Sequence, residues 1–252
     1  MAPIAIVAAM HEELSALLAR MPDEQPVRTA GREFWAGHLE ERPVVAVLSR
    51  IGKVAAATTA TVLMERFGCS AVVFTGVAGG LAPGVAVGDV VVATELLQHD
   101  LDASPIFPRY EVPLTGLARF AADAALGDGL EAAAHEVLRD PAALLGADAT
   151  RSFGLAAPRV HRGLVVSGDR FVSTHAESAA LRLALPDALA VEMEGAAVAQ
   201  VCHDYGVPFA AVRTVSDRAD DAAHVDFVRF IDAVAARYSV AIVTRWLGAL
   251  PR

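Results

Sequence analysis

Seven runs of almost unbroken apolar residues punctuate the chain, at Ile4–Ala9, Val44–Ser49, Ala71–Thr75, Val87–Thr94, Val160–Ser167, Ala188–Met193 and Phe209–Thr214, each bounded by Gly, Pro or charge. Short runs rich in Val, Ile and Ala are what strands covered on both faces look like. Between them lie helical patterns over Glu12–Arg20, Val54–Phe67, Leu117–Leu138, Glu177–Leu185, Glu194–Tyr205 and Phe227–Leu247. Buried strands alternating with helices predict an α/β sandwich around a mostly parallel or mixed sheet. The stretch Asp140–Pro158 carries turn residues and little periodicity, and reads as a surface insertion in a single domain spanning residues 1–252.

Composition narrows the partners. The 252 residues are 54% hydrophobic, enough to bury one substantial core, and carry a net charge of -9. That charge repels nucleic-acid backbones and anionic membranes, so small molecules or proteins are the expected partners. Cys69 and Cys202 are too few for a disulfide framework and read as buried thiols. The opening MAPIAIVAAM lacks a basic leader and runs into charge, so it predicts a strand and not a signal peptide. With no apolar run near the length of a membrane span, the chain reads as cytosolic.

Two tempting motifs fail on spacing. Thr75–Gly84, TGVAGGLAPG, follows a strand and has Glu95 about twenty positions on, but its glycines do not form G-x-G-x-x-G and another strand follows with no helix between. The glycines read instead as a tight turn, or as a close approach of backbone to ligand at a strand's carboxyl end. His11-Glu12-Glu13 and His135-Glu136 lack the second histidine of a zinc helix, and His99, Asp100 and Asp102 have no further recognisable ligands. Neither metal nor cofactor is expected.

Three motifs at strand ends carry candidate chemistry: Met10-His11-Glu12-Glu13, Glu192-Met193-Glu194 and Arg213-Thr214-Val215-Ser216-Asp217. Each alone has a bland reading, since acidic residues complement helix N-termini and Ser-Asp is an ordinary turn. Parallel strands ending on one side of a sheet would, however, bring three carboxylates and one guanidinium into one cleft. Paired carboxylates suit glycosidic cleavage, one acid protonating the leaving group while another activates water. The same logic extends to N-glycosides, whose purine leaving group departs more readily when protonated at N7.

The stretches IAIVAAMHEE, SRIGKVAAA, TGVAGGLAPGVAVGDVVVA, HDLDAS, GLVVSGDRFV, AVEMEGAAVAQVC and VPFAAVRTVSDRAD run in order from residue 4 to about 220. This series resembles the 5'-methylthioadenosine/S-adenosylhomocysteine nucleosidases of the purine nucleoside phosphorylase superfamily. The resemblance implies a three-layer sandwich with a central mixed sheet flanked by helices. It also implies hydrolysis of 5'-substituted adenosines without a cofactor, and a homodimer whose interface includes Leu101–Phe107. Carried over by position, it makes Asp217 the acid toward adenine N7, held by Ser216, and Glu13 the activator of water, assisted by Arg213. Glu194 would bind the ribose hydroxyls and Met193 would pack on the sugar. Phe171 would stack on adenine and the Val172 backbone would bond its edge, with Met10, Ile51 and Phe227 completing the pocket. Glu192 and Asp169 are the reserve candidates for the leaving-group acid.

Val77 stands where the family often carries a hydroxyl near the water, and Ser104–Pro158 departs from the family's pattern around the 5' substituent. The main alternative is a nucleoside phosphorylase. It would need cationic phosphate ligands where this chain has AMHEE and TGVAGG, although Arg32 and Arg50 remain candidates. Placing Glu13 beside phosphate would cost about 4 kcal/mol per charge pair at ~4 Å. A ligand-binding protein with a dead site predicts loss of an acid, yet all three are present. An aminofutalosine-type nucleoside or 5'-deoxyadenosine stays open as substrate, because the residues facing the 5' group are the least legible.

Overall fold

A computed structural model describes residues 1–219 and 227–251. Along the chain run β1 (Ile4–Ala8), α1 (His11–Leu18), β2 (Gln25–Thr29), β3 (Arg32–Leu39), β4 (Arg42–Leu48), α2 (Lys53–Phe67), β5 (Ala71–Gly80), β6 (Val90–Gln98) and β7 (Arg119–Ala121). Then follow α3 (Ala124–Val137), α4 (Pro141–Leu145), α5 (Ala147–Ser152), β8 (Val160–Ser167), α6 (His175–Ala184), β9 (Ala188–Glu192), α7 (Gly195–Tyr205) and β10 (Phe209–Asp217). After the undescribed residues come α8 (Phe227–Phe230), a π turn (Ile231–Ala235) and α9 (Ala236–Ala249). Asp220, the last residue of the VRTVSDRAD stretch, lies outside the described residues.

All seven apolar runs form strands; side chains of β1 and β5 alternate between two cores, while Leu164 and Val166 of β8 and Ala188 and Val191 of β9 face a third. Ala5, Val7, Val72 and Phe74 pack on one side with Ala56, Ala60 and Leu63 of α2 and Ala196 and Cys202 of α7. Ile6, Ala8 and Val73 pack on the other with Leu14 and Leu17 of α1, Leu130 of α3, and Tyr238, Ile242 and Trp246 of α9. The fold is therefore a mixed sheet flanked by helices on both faces. Both cysteines are free and buried, and burial pushes each thiol up to about 12.

The sheet departs from a plain sandwich layer by closing on itself. β10 pairs parallel with β5 and antiparallel with β6, and the order β10-β6-β8-β9-β5 returns to β10 as a ring, from which β1, β4, β3 and β2 extend. Register shifts at Ala93/Glu95, Leu164/Val165 and Val215/Asp217 give strands of the ring the bends that curvature needs. The glycine-rich TGVAGG segment is not a turn: β5 continues through it, and Gly79 and Gly80 pair with Val191 and Ala190 of β9.

Three strands were not expected. β2 and β3 form the exposed edge with β4, where charged and apolar residues mix. β7 occupies the start of the predicted helix Leu117–Leu138. Asp123 halts that helix short, its carboxylate accepting from Leu126 N at 2.9 Å as the N-cap, so α3 begins at Ala124. Within Asp140–Pro158 the chain forms α4 and α5, and Leu145 and Leu155 are buried.

Candidate active site

The ring explains how the three motifs meet, and corrects one expectation. β1, β5 and β10 run parallel, but β9 runs antiparallel to β5. Glu192 and Glu194 thus arrive from the opposite direction and not from a shared rim. They reach the others because β9 lies against the far end of β5, where Gly79 is paired with Val191 on one side and with Asp217 on the other. Glycine gives room there: a Cβ on Gly79 would sit 3.0 Å from Asp217 Oδ1 and 3.0 Å from the Ala219 Cβ and crowd both.

The cleft so formed is an apolar-lined cavity of about 150 Å³. Met10, Ile51, Phe171, Val172, Met193, Glu194, Ser216, Asp217 and Phe227 all line it, together with Val77, Gly79, Arg170 and Glu192. Phe171 and Phe227 meet edge to face, with centroids 6.0 Å apart and planes at 75°. Ile51 is 64% exposed at the mouth. Asp217 Oδ2 accepts from Ser216 Oγ at 2.8 Å, and Oδ1 accepts from Ala219 N at 2.7 Å.

Glu13 and Arg213 do not line this cleft; they lie buried beside it, 0% and 1% exposed. A Cβ on Gly76 would lie 3.6 Å from both Glu13 Oε2 and Arg213 Nη1, so the missing side chain leaves space between the two. Glu13 accepts from Met10 N at 3.2 Å and from Ser239 Oγ at 3.3 Å, while Ser239 in turn accepts from Thr75 Oγ1 at 2.8 Å. Burial pushes the Glu13 carboxyl up to about 7, against the opposing pull of the Met10 amide, the Arg213 charge and Ser239.

Arg213 donates through Nη2 to Glu192 Oε2 at 2.8 Å and through Nη1 to Phe74 O at 3.0 Å, with its guanidinium 4.0 Å over the Phe74 ring. Glu192 is the residue whose place the sequence did not reveal. Its carboxylate also accepts from Glu194 N at 3.2 Å, Gly195 N at 2.8 Å and the Ser167 hydroxyl, so it is held by four donors at the start of α7. The signal was present as two carboxylates two residues apart after a strand, but only the second had an evident use. Glu194 accepts from Gly52 N at 2.8 Å. Burial, reinforced by the neighbouring Glu192 charge, pushes its carboxyl up to about 7. Asp169 is elsewhere, accepting from Lys53 N at 2.7 Å.

A buried carboxyl beside the cleft, a second carboxylate in its wall and an aromatic pair among its lining residues are the groups that cleavage of an N-glycoside can use. The phosphorylase superfamily model matches residues 3–247. A 5'-methylthioadenosine/S-adenosylhomocysteine nucleosidase of Anoxybacillus flavithermus is 38% identical over 238 residues, 94% of either chain. The chain belongs to this nucleosidase family. A nucleosidase of the same name from Neisseria meningitidis, solved with methylthio-immucillin-A, superposes with a TM-score of 0.85 at 35% identity, covering 99% of this chain and 100% of that one. A futalosine hydrolase of Helicobacter pylori gives 0.84 at 30% identity over 98% of both chains. Among the described residues of this nucleosidase, no group of three or more His, Cys, Asp or Glu is placed to hold a metal, and no helix is long and apolar enough to cross a membrane.

Proposed function

We propose that this chain hydrolyses the N-glycosidic bond of 5'-substituted adenosines, S-adenosylhomocysteine and 5'-methylthioadenosine above all, releasing adenine and the substituted ribose. The observation that carries the reading is the placement of Glu13, a carboxylate brought near neutrality by burial, across a gap from Arg213 and beside a cleft that holds Asp217. A base with a pKa near the working pH combines adequate ionisation with real basicity.

In this mechanism Phe171 stacks on adenine and the Val172 backbone bonds its edge. Asp217, steadied by Ser216 and the Ala219 amide, delivers a proton to N7, so the protonated purine takes the electron pair of the breaking C1'–N9 bond and leaves as neutral adenine. Glu194 grips the ribose hydroxyls, and Met193, Met10, Ile51 and Phe227 pack around the sugar and its 5' group. A water between Glu13 and Arg213 attacks the cationic C1' and gives its proton to Glu13. Val77 offers that water no hydroxyl, which leaves its orientation to Glu13 and Arg213. The catalyst works as a cytoplasmic homodimer without metal or cofactor.

A phosphorylase would need a dianion in the space that the Glu13 carboxylate faces, and Arg213 is already matched by Glu192. A futalosine-type substrate is the second reading, favoured by the Helicobacter pylori structure. Incubation with 5'-methylthioadenosine in phosphate-free buffer containing a chelator should release free adenine and 5-methylthioribose. A rate that rises with added phosphate and yields a ribose 1-phosphate product would overturn the hydrolase reading.

A further inference from the structure

A second cleft adjoins the first, between α1 and the β2–β3 hairpin, with His11, Arg28, Arg32, Glu33 and Arg50 as its titratable lining. Two chain segments step from one cleft to the other within a single residue. Met10 and Ile51 line the first, while their neighbours His11 and Arg50 line the second. The two clefts therefore border each other at Met10–His11 and at Arg50–Ile51.

The charge there is unbalanced. Glu33, the one carboxylate among the described residues lining this cleft, is taken by Arg28, with Nε to Oε1 at 2.7 Å. Among the described residues Arg32 donates only to neutral oxygens: Thr59 Oγ1 at 2.7 Å, Ala30 O at 2.8 Å and Ala55 O at 2.9 Å. Arg50 donates to the Gly31 carbonyl. Arg32 is held below its ordinary pKa by burial and then by the charge of Arg50. Two guanidiniums within Coulombic range, neither paired with a carboxylate among the described residues, repel each other, and a bound anion relieves that repulsion.

The backbone supplies an independent observation. Arg50 adopts φ +64°, the left-handed region that favours glycine, yet the residue is an arginine, with its side chain at the junction of the two clefts. Strain retained next to a binding cleft points to use of the side chain.

We infer that Arg50 and Arg32 form an anion subsite at the cleft mouth that receives a carboxylate carried on the 5' substituent of the nucleoside, favouring acid-tailed substrates over neutral alkylthio ones. This rests on the nucleosidase reading above. Inorganic phosphate shares the chemistry of a carboxylate, so the test includes it.

The experiment compares kcat/KM for adenine release from S-adenosylhomocysteine, its carboxamide and 5'-methylthioadenosine, in the wild type and in Arg50→Gly, a substitution the local backbone welcomes. The acid-to-amide ratio should exceed one in the wild type and fall about three- to tenfold in the variant, mainly through KM, the range for one partly exposed charge-assisted contact. Arg50→Lys should keep part of it. An equal ratio in wild type and variant overturns the subsite, as does an acid preference that survives Arg50→Gly. Phosphate that alters 5'-methylthioadenosine turnover while the wild-type ratio stays at one assigns the cluster to a free anion and overturns it too. Adenine released from none of the three substrates would instead sink the nucleosidase reading, and the subsite with it.

Discussion

Replacing Glu13 with Gln should make the protein more stable above neutral pH while disabling it. The carboxyl has an ordinary value of 4.5 and stands at about 7 in the fold, with burial as the largest cause. Between those values the folded state binds more protons than the unfolded chain, so stability falls as pH rises through this window. Below the ordinary value the penalty is absent, and above pH ~7 it is complete. At about 1.4 kcal/mol per pH unit the full penalty approaches ~3 kcal/mol. Gln removes the ionisation but accepts through one oxygen, so one of the bonds from Met10 N and Ser239 Oγ is lost, at about 1 kcal/mol. The expected net gain is ~1–3 kcal/mol at pH 8, or roughly 2–10 °C in Tm for a chain of this size. At pH 5 the wild-type carboxyl is already protonated, and the gain should vanish or reverse. Turnover should fall by about 10²–10⁴ at pH 8, the usual worth of a general base, and by much less at pH 5, where the wild-type carboxyl is itself protonated. Urea unfolding of both proteins at pH 5 and pH 8 is the assay. A difference that is the same at both pH values, or a wild type more stable than Glu13→Gln at pH 8, would refute the burial argument.

Asp217→Asn keeps the hydrogen-bonded shape but not the transferable proton, so turnover should drop about 10²–10⁴ with inhibitor binding measured by calorimetry largely intact. Glu194→Gln should damage both, and near wild-type turnover in Asp217→Asn would move the acid elsewhere. Glu192→Gln leaves the Arg213 guanidinium buried without its counter-charge and should destabilise by about 3 kcal/mol, read by denaturant titration at pH 8; an unchanged midpoint would show the pair to be dispensable. Sedimentation should find a dimer at micromolar concentration, and a fully active monomer would contradict the assembly built on Leu101–Phe107.

Strands with continuous apolar sequence were legible because both faces are covered, and the two-core alternation of Ala5, Ile6, Val7 and Ala8 needs nothing beyond the pleat. The edge strands β2 and β3 were not. Sequences such as QPVRT and REFWAGHL carry exposed charges at positions where the buried-strand pattern has none. Closure of the ring was equally invisible, because it depends on β10 finding two neighbours of opposite direction, a long-range fact that periodicity does not encode. The helix expected from Leu117 was overrun because Arg119–Ala121 pair with β6 before Asp123 caps α3.

The site was legible where chemistry-bearing residues interrupt apolar runs, and illegible where a residue acts on another such residue. Glu13, Glu194 and Asp217 stand out in this way, and the seven residues expected to touch substrate do share one cleft. Glu192 looked redundant beside Glu194, yet it determines what its neighbours can be. By pairing with Arg213 it balances a guanidinium that would otherwise act undivided on Glu13 and hold that carboxyl lower. Its own charge helps keep Glu194 raised. The backbone amides of Glu194 and Gly195 and the Ser167 hydroxyl fix it at the start of α7, where a helix N-terminus favours a carboxylate. The carboxylate reaches Arg213 because β9 and β10 flank the same end of β5, where Gly79 pairs with Val191 and with Asp217, so the electrostatics of the site follow from the pairing of these three strands.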